Sequence, residues 1–299
     1  MTLEGRTVII TGGGRGLGRE HALRFAERGA NVVVNDNGAG PDGAGDDTAP
    51  AREVVGEIVA KGGNAVAHIG SVSSWDSARE MVELAVETFG GLDVLVNNAG
   101  ILRDRTIVNM SEAEWDAVTD VHLKGHFCPL RHAASYWRSE SKAGKDVRAS
   151  VINTSSGSGL RGNPGQLNYA AAKAGIAIMS VVAARELERY GVRVNAIAPV
   201  ARTRLTEAAP GLGDRIAEET DGTFDIWSPA NVTPLVSWLA EEKCHVSGQV
   251  FSIAGGHVGW QQGWVEQEAF DMDRAWTEAE LADALAHLPA GPPAWRSSI

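Results

Sequence analysis

The sequence predicts an α/β fold in which a doubly wound parallel sheet is covered by helices on both faces. Short runs rich in β-branched residues, such as residues 7–11 and 31–36, alternate with segments whose apolar residues recur at helical spacing. The runs are continuously apolar, which is typical of strands buried on both faces of a sheet. Of the 299 residues, 43% are hydrophobic and 22% charged, a globular composition that excludes a wholly disordered chain.

The first strand is predicted at residues 7–11, where three apolar residues precede the glycines that end the run. Helical spacing of apolar residues predicts a helix at 17–28, and three consecutive valines predict a strand at 31–36. The same alternation continues along the chain. Further strands are predicted at residues 65–69, 93–96, 150–154, 193–197 and 249–253, and further helices at 75–89, from 111 onward, at 168–190 and at 228–241.

A C-terminal segment follows this alternation. A helix is predicted at residues 277–288, because Thr277 and Glu280 fit a capping box. The segment also contains more tryptophan than a disordered tail would. We therefore expect one domain, residues 1–259, and an extension, residues 260–299, that packs on this domain or on a neighbouring subunit.

Charge and cysteine content exclude several classes of function. The chain has a net charge of −11 and so lacks the excess of basic residues that is typical of nucleic-acid-binding proteins. Two cysteines, Cys128 and Cys244, cannot build a disulfide framework and have no metal-ligand spacing, so no metal site is expected. No apolar stretch of the ~18 residues of a membrane span is evident, and the N-terminus does not resemble a signal peptide. The expected location is the cytoplasm.

A glycine-rich turn joins the first predicted strand to the first predicted helix. Residues 11–18 read Thr-Gly-Gly-Gly-Arg-Gly-Leu-Gly. Glycines allow a tight turn and close approach of the backbone to a pyrophosphate, and the helix N-terminus offers free N–H groups and a positive dipole end. A flexible turn has a similar composition, but the position between strand and helix favours a dinucleotide phosphate site.

Asp36 ends the second predicted strand. A carboxylate there can accept both hydroxyls of an adenosine ribose and repels a 2′-phosphate, which favours NAD over NADP. Arg15 favours the opposite choice, because a basic residue in the glycine-rich turn can pair with a 2′-phosphate. The loop that follows, residues 37–50, is rich in Gly, Asp and Pro and is either a solvated insertion or a rim over the adenosine site.

Tyr169 is the only one of the three tyrosines with a lysine, Lys173, four residues further on, so the two share a helix face. The ammonium group is expected to lower the phenol pKa from its ordinary value of about 10. Tyr169 can then donate or accept a proton for an alcohol/ketone pair. Ser156 follows the fifth predicted strand and is placed to hold the substrate oxygen, with Ser158 as its rival.

These features together resemble the short-chain dehydrogenase/reductase family over residues 1–259. The residues that carry the resemblance are the turn at 11–18, Asn-Asn-Ala-Gly at 97–100, Ser156, Tyr169 and Lys173. It implies a Rossmann-type sheet of seven strands, hydride transfer at the nicotinamide C4, and homodimers or homotetramers formed through the two long helices. A narrower likeness, carried by the sequences at 33–36, 97–105, 121–125, 162–169 and 233–236, is to the (3R)-hydroxyacyl-CoA dehydrogenase part of peroxisomal multifunctional enzymes type 2, also called 17β-hydroxysteroid dehydrogenases type 4.

The resemblance also implies roles for individual residues. The catalytic residues are Ser156, Tyr169 and Lys173. The residues expected to bind the cofactor are Gly12, Arg15, Gly16, Leu17, Asp36, Ser71, Val72, Asn98, Gly100, Tyr169, Lys173, Pro199 and Thr203.

Three positions depart from the common family pattern. His122 replaces an asparagine that supports a proton relay, and we do not expect it to be a catalytic base. Gly70 replaces an aspartate that contacts adenine, so the backbone is expected to hold this base. Val200 replaces a glycine near the nicotinamide.

The sequence therefore predicts an NAD-dependent oxidoreductase that interconverts a secondary alcohol and a ketone. The predicted substrate is a 3-hydroxyacyl-CoA or a hydroxysteroid-type molecule, which belongs to lipid metabolism. Two alternatives remain open, namely an NADPH-dependent 3-oxoacyl reductase, which Arg15 favours, and a dinucleotide-sensing protein without turnover.

Overall fold

A computed structural model describes residues 3–45, 47–207, 216 and 223–289. The chain divides into two compact units, Met1–Gln261 and Gln262–Ile299. The strands are β1 (Thr7–Thr11), β2 (Asn31–Asn35), β3 (Asn64–His68), β4 (Val94–Asn97), β5 (Ala149–Thr154), β6 (Val192–Pro199), β7 (Val250–Ala254) and β8 (His257–Gln261). The helices are α1 (Gly16–Glu27), α2 (Ala49–Ala60), α3 (Trp75–Phe89), α4 (Glu112–Thr119), α5 (Gly125–Lys142), α6 (Gly157–Arg161), α7 (Leu167–Leu187), α8 (Arg204–Glu207), α9 (Thr233–Leu239) and α10 (Glu278–Ala284).

The strands of the first unit form one sheet in the order β3-β2-β1-β4-β5-β6-β7-β8. The first seven are parallel, which confirms the predicted doubly wound α/β fold. The sheet is nevertheless larger than the seven strands expected, because β8 pairs antiparallel with β7. A two-residue turn joins these two strands, so the hairpin extends the sheet to Gln261, two residues past the predicted boundary.

Alternate residues of the strands build two separate hydrophobic cores. Val8 and Ile10 of β1 lie in one core with Val96 of β4, whereas Ile9 and Leu95 lie in the other. This two-sided burial explains why the strand sequences are continuously apolar rather than alternating. The chain order reverses between β1 and β4, and this is the point where open α/β sheets bind ligands.

Several helices differ from their predictions. The helix predicted from residue 111 is two helices, α4 and α5, joined by a π-helical turn at Asp120–Lys124. The segment predicted as a helix at 228–241 contains a 3₁₀ turn and the shorter α9. The helices α2 and α6 were not predicted, because a long loop precedes α2 and α6 has only five residues.

In the second unit, α10 begins with the predicted capping box. The Thr277 side chain accepts a hydrogen bond from the Glu280 backbone, and the Glu280 side chain accepts one from the Thr277 backbone. The helix ends at Ala284, earlier than predicted.

One helical segment among the described residues, Leu167–Tyr190, is long and apolar enough to cross a membrane by length and composition, although no such stretch was expected. Within the fold it packs against β5 and β6. It consists of α7 and a short 3₁₀ turn, and α7 carries Tyr169 and Lys173.

Candidate active site

A backbone cradle lies between β1 and α1. The Asn98 side chain donates to the carbonyl oxygens of Thr11 (3.0 Å) and Gly12 (3.2 Å) and so ties the turn to the end of β4. A Cβ at position 12 would lie 2.8 Å from the Ala99 Cα, and one at Gly18 would lie 2.0 Å from the Gly12 oxygen. Only glycine fits these positions, so the turn has the close packing that the sequence pattern predicts.

Asp36 connects this cradle to the loop that follows β2. Its Oδ2 accepts a hydrogen bond from the Gly14 N–H (3.0 Å), and its Oδ1 accepts one from the Gly38 N–H (2.8 Å). The carboxylate is therefore held in place by two backbone groups before any ligand binds. It lies on the same cavity as the glycine-rich turn.

The structure places every predicted cofactor-binding residue around this one cavity. These residues are Gly12, Arg15, Gly16, Leu17, Asp36, Ser71, Val72, Asn98, Gly100, Tyr169, Lys173, Pro199 and Thr203. Several other lining residues were not predicted, among them Asn37, Ala39, Gly40, Pro41, Gly43, Val121, Ala201, Arg204, Leu205 and Thr206. Those between 37 and 43 favour the rim interpretation of the long loop over the solvated one.

Gly70, which follows β3 and lines the cavity, has no side chain that could contact a base. A Cβ at Gly70 would lie 2.2 Å from the Ser77 Oγ, so this position has little room for a larger residue. The Gly70 carbonyl accepts a hydrogen bond from the Asn35 side chain (2.9 Å). Recognition of adenine by the backbone here stays a prediction.

The structure distinguishes the two candidate serines after β5. Ser156 forms the N-cap of α6, where its Oγ accepts from the Ser158 N–H at 3.2 Å. The Ser156 side chain also lies close enough to the Tyr169 hydroxyl to lower the pKa of the phenol. The Ser158 hydroxyl instead donates to the Gln166 side chain (2.8 Å), so Ser156 is the serine that contacts the phenol.

Tyr169 and Lys173 share one face of α7 and one cavity, as their spacing predicts. Lys173 is 2% exposed, and its Nζ donates to the Thr154 carbonyl oxygen at 2.6 Å. The same Nζ lies 5.5 Å from the centroid of the Tyr169 ring. The amine is thus beside the phenol ring but is hydrogen-bonded to the end of β5.

The expected lowering of the Tyr169 pKa is wrong. Burial raises the pKa of Tyr169, the hydrogen bond with Ser156 lowers it, and the charge of Asp104 raises it. Burial also lowers the pKa of Lys173 to about 7, so the amine is only partly charged near neutral pH. Spacing places the two groups together, but burial is the largest influence on the pKa of each.

His122 lies in the π-helical turn and packs against Tyr169. The two rings meet edge to face, with centroids 5.0 Å apart. The Nε2 atom lies 2.7 Å from the Ile101 carbonyl oxygen and 3.1 Å from the Ile101 nitrogen. Burial and the charge of Lys173 lower the pKa of His122 well below its ordinary range, although the Ile101 contact raises it, so the ring is neutral. Its contacts position the Ile101 segment and the phenol ring.

A polar network on the Ser158 side of the site was not predicted. The Gln166 Nε2 donates to the Asp104 Oδ2 (2.8 Å), and the Gln166 Oε1 accepts from Asn163 (2.9 Å) as well as from Ser158. Burial raises the pKa of Asp104, while Gln166 and Arg105 lower it. The sequence at 97–105 carried the narrower family likeness, but nothing in it indicated that Asp104 acts on Tyr169.

The chain is similar in sequence to known proteins. A family model described as short chain dehydrogenase matches residues 6–215. Hydroxyacyl-CoA dehydrogenase ChsB1 of Mycobacterium tuberculosis is 43% identical over 297 residues, which cover 97% of this chain and 90% of that protein. The peroxisomal multifunctional enzyme type 2 of Mus musculus is 41% identical over 259 residues, 87% of this chain but 33% of that enzyme.

A solved structure agrees with these sequence matches. The crystal structure of a short chain dehydrogenase from Mycobacterium avium is 52% identical, with a TM-score of 0.84, and the match covers 96% of this chain and 95% of that one. The predicted likeness to the multifunctional enzymes type 2 is also confirmed. The chain belongs to the short-chain dehydrogenase family and is an oxidoreductase that acts on CH–OH groups with a nicotinamide dinucleotide.

Proposed function

We propose that the protein is an NAD-dependent dehydrogenase that oxidises the hydroxyl group of a 3-hydroxyacyl-CoA to a ketone. The observation that carries this proposal is that Ser156 lies beside the Tyr169 hydroxyl, and that Tyr169 lines one cavity together with Lys173 and Asp36. The name of the M. tuberculosis relative supports the hydroxyacyl-CoA substrate. The second candidate is a hydroxysteroid-type substrate. It is favoured by the sequence likeness to the multifunctional enzymes type 2, which are also called 17β-hydroxysteroid dehydrogenases type 4.

The residues around the cavity fit a nicotinamide dinucleotide. The glycine cradle at residues 12–18 suits a pyrophosphate, and the carboxylate of Asp36 is preorganised to accept ribose hydroxyls. When bound, the dinucleotide supplies the acceptor for the hydride that leaves the substrate carbon. Thr203 borders Gly16 and is our candidate to bond the carboxamide.

In the oxidative direction, Tyr169 accepts the proton of the substrate hydroxyl while Ser156 holds the oxygen. The substrate loses one proton and one hydride, and a ketone remains. Tyr169 must be ionised to accept the proton, so its raised pKa predicts that oxidation accelerates as pH increases. In the reverse direction, the neutral phenol is the proton donor.

Replacing Tyr169→Phe tests the catalytic assignment. We expect kcat to fall by about 10²- to 10⁴-fold, the usual contribution of a positioned acid or base, with NADH still bound. The measurement is NADH absorbance with 3-hydroxyacyl-CoA substrates of several chain lengths and with hydroxysteroids. Tyr136→Phe is the matched control, because that hydroxyl contacts Glu140 on α5 instead. Full activity of the Tyr169→Phe variant would contradict the proposal.

The alternative of an NADPH-dependent 3-oxoacyl reductase depends on Arg15. Its guanidinium lies 3.0 Å from the Asp47 carboxylate, so a counter-charge is already beside it. Titration of the wild-type protein with NADH and NADPH separates the two hypotheses. Tighter binding of NADPH would refute the assignment of Asp36 as the ribose ligand.

We also propose assembly as a homodimer or homotetramer in a reducing compartment such as the cytoplasm. Phe127 on α5 and Ile178 and Val182 on α7 are exposed apolar residues on the two helices expected to form the subunit contact. Cys128 and Cys244 are both free and buried, which suits a reducing environment. Light scattering of the purified protein gives the mass of the assembly, and a monomer would contradict this proposal.

A further inference from the structure

Arg15 is the basic group of the glycine-rich turn, and the long loop supplies its partner. The Arg15 Nη2 lies 3.0 Å from the Asp47 Oδ2, with the two side chains 33% and 56% exposed. The two residues are 32 positions apart. The pair is therefore a tertiary contact between the cradle and the residues before α2.

Asp47 is held in place independently of Arg15. Its Oδ1 accepts a hydrogen bond from the Ala49 N–H (3.0 Å) at the start of α2. The backbone at Asp47 packs on Gly38, where a Cβ would lie 1.6 Å from the Asp47 oxygen. The loop itself therefore holds the Asp47 carboxylate beside Arg15.

The loop also closes against the cradle itself. A Cβ at Gly14 would lie 2.7 Å from the Pro50 Cβ and 2.8 Å from the Asp36 Oδ2. Gly14 thus lies between the carboxylate of Asp36 and the first turn of α2, next to Arg15 in the chain. Arg15 and Asp36 line the cavity, and Asp47 is linked to its rim through the ion pair with Arg15.

We infer that Asp47 is a second determinant of cofactor selectivity, which neutralises Arg15 and so prevents it from pairing with the 2′-phosphate of NADP. This inference rests on the proposed preference for NAD. A 2′-phosphate entering this rim would have to displace Asp47 from Arg15 and would then lie near an uncompensated carboxylate. Asp36 repels the 2′-phosphate directly. Asp47 instead pairs with Arg15, the cation that would otherwise bind the phosphate.

Asp47→Asn tests this role while keeping the fold of the loop. Asparagine retains the Oδ1 that accepts from Ala49 but removes the charge beside Arg15. Binding of ADP and of 2′,5′-ADP is measured by calorimetry, so the readout is independent of turnover. We expect affinity for 2′,5′-ADP, relative to ADP, to rise about two- to fivefold, as for a partly exposed charge pair, and the gain to shrink at high salt.

Asp42→Asn is the matched control. It makes the same charge change in the same loop, but the Asp42 side chain accepts from Ala44 rather than pairing with Arg15. Adding Arg15→Gln to Asp47→Asn should abolish the gain in relative affinity for 2′,5′-ADP. Adding Arg204→Gln instead, at a residue that lines the same cavity, should leave most of that gain.

The inference is overturned if Asp47→Asn and Asp42→Asn change the affinity ratio equally, because the effect would then be one of net charge. It is also overturned if the gain survives loss of Arg15. Failure of the proposed cofactor preference looks different, since the wild-type protein itself would then bind NADP more tightly than NAD. A wild-type preference for NAD with no change in Asp47→Asn would reject the inference alone.

Discussion

Lys173, which we propose to be catalytic, shows how a single side chain can oppose the stability of the fold. It is a fully buried amine whose main polar partner is one carbonyl oxygen, that of Thr154. Desolvation of such a group favours its neutral form, which is why its pKa falls to about 7. A side chain placed for chemistry is thus retained at a cost in stability.

Lys173→Met should stabilise the protein while removing activity. The folded pKa is about 7 and the ordinary value is 10.5, so between these pH values the unfolded chain binds a proton that the folded protein lacks. The wild-type free energy of unfolding therefore rises with pH across this window. The advantage of the variant should be largest at or below pH 7 and shrink by at most about 1.4 kcal/mol per pH unit above it.

Urea unfolding at about pH 6.5, 8 and 9.5 measures this difference. Loss of the hydrogen bond to Thr154 reduces the stabilisation by about 1–3 kcal/mol at every pH, but does not change its pH dependence. Lys142→Met, at an exposed position on α5, is the control and should show no such trend. If the difference in free energy of unfolding between Lys173→Met and the wild type stays constant with pH, Lys173 is charged in the folded protein.

At the scale of elements, the π-helical turn between α4 and α5 aligns three parts of the site. It directs His122 toward the Tyr169 ring and toward the backbone of Ile101, just after β4. Gly100 makes room for this arrangement, because a Cβ there would lie 2.4 Å from the His122 Cε1. The turn after β4 and the π-helical turn therefore depend on each other.

Gly100→Ala should displace His122 and disturb the phenol. We expect a loss of stability of about 1–3 kcal/mol, typical of overpacking, together with reduced kcat. In a His122→Ala background the same substitution should cost less, which a double-mutant cycle measures. Gly56→Ala is the control, since Gly56 lies in α2 with no atom near its Cβ position, and it should stabilise by about 1 kcal/mol. Equal costs in both backgrounds would contradict the coupling.

At the scale of the whole molecule, the candidate cofactor site belongs to one of the two compact units. Every residue that lines the cavity lies between Gly12 and Thr206, within Met1–Gln261. The hypothesis that residues 260–299 pack on the domain or on a neighbouring subunit stays a prediction. Cofactor binding and the contribution of this extension can therefore be tested separately.

A chain that ends at Gln261 should bind NADH as tightly as the full chain. If the extension serves assembly or borders the substrate entrance, the truncated protein should change in mass by light scattering or in KM for the acyl-CoA. Fluorescence titration with NADH is the companion measurement. Loss of NADH binding in a folded truncated protein would show that the cavity is incomplete without residues 262–299.

The sequence by itself determined the features that depend on local periodicity. Buried parallel strands need continuous apolar runs, so β1 and β2 were identifiable, and the four-residue spacing of Tyr169 and Lys173 placed them on one helix face. The glycine-rich turn was recognisable because its function depends on adjacent residues. Ser156 was identifiable as a candidate from its place after β5, but the choice between Ser156 and Ser158 depended on their contacts in the folded protein.

Only the tertiary structure decided the features that depend on residues far apart in the chain. The pairing of Arg15 with Asp47, the effect of Asp104 on Tyr169 and the packing of His122 on that ring all join distant segments. The tertiary structure also decided whether the pKa of Tyr169 is raised or lowered, because burial is a property of the folded molecule. Desolvation acts through every neighbouring atom, whereas sequence spacing reports only those within one or two turns of a helix.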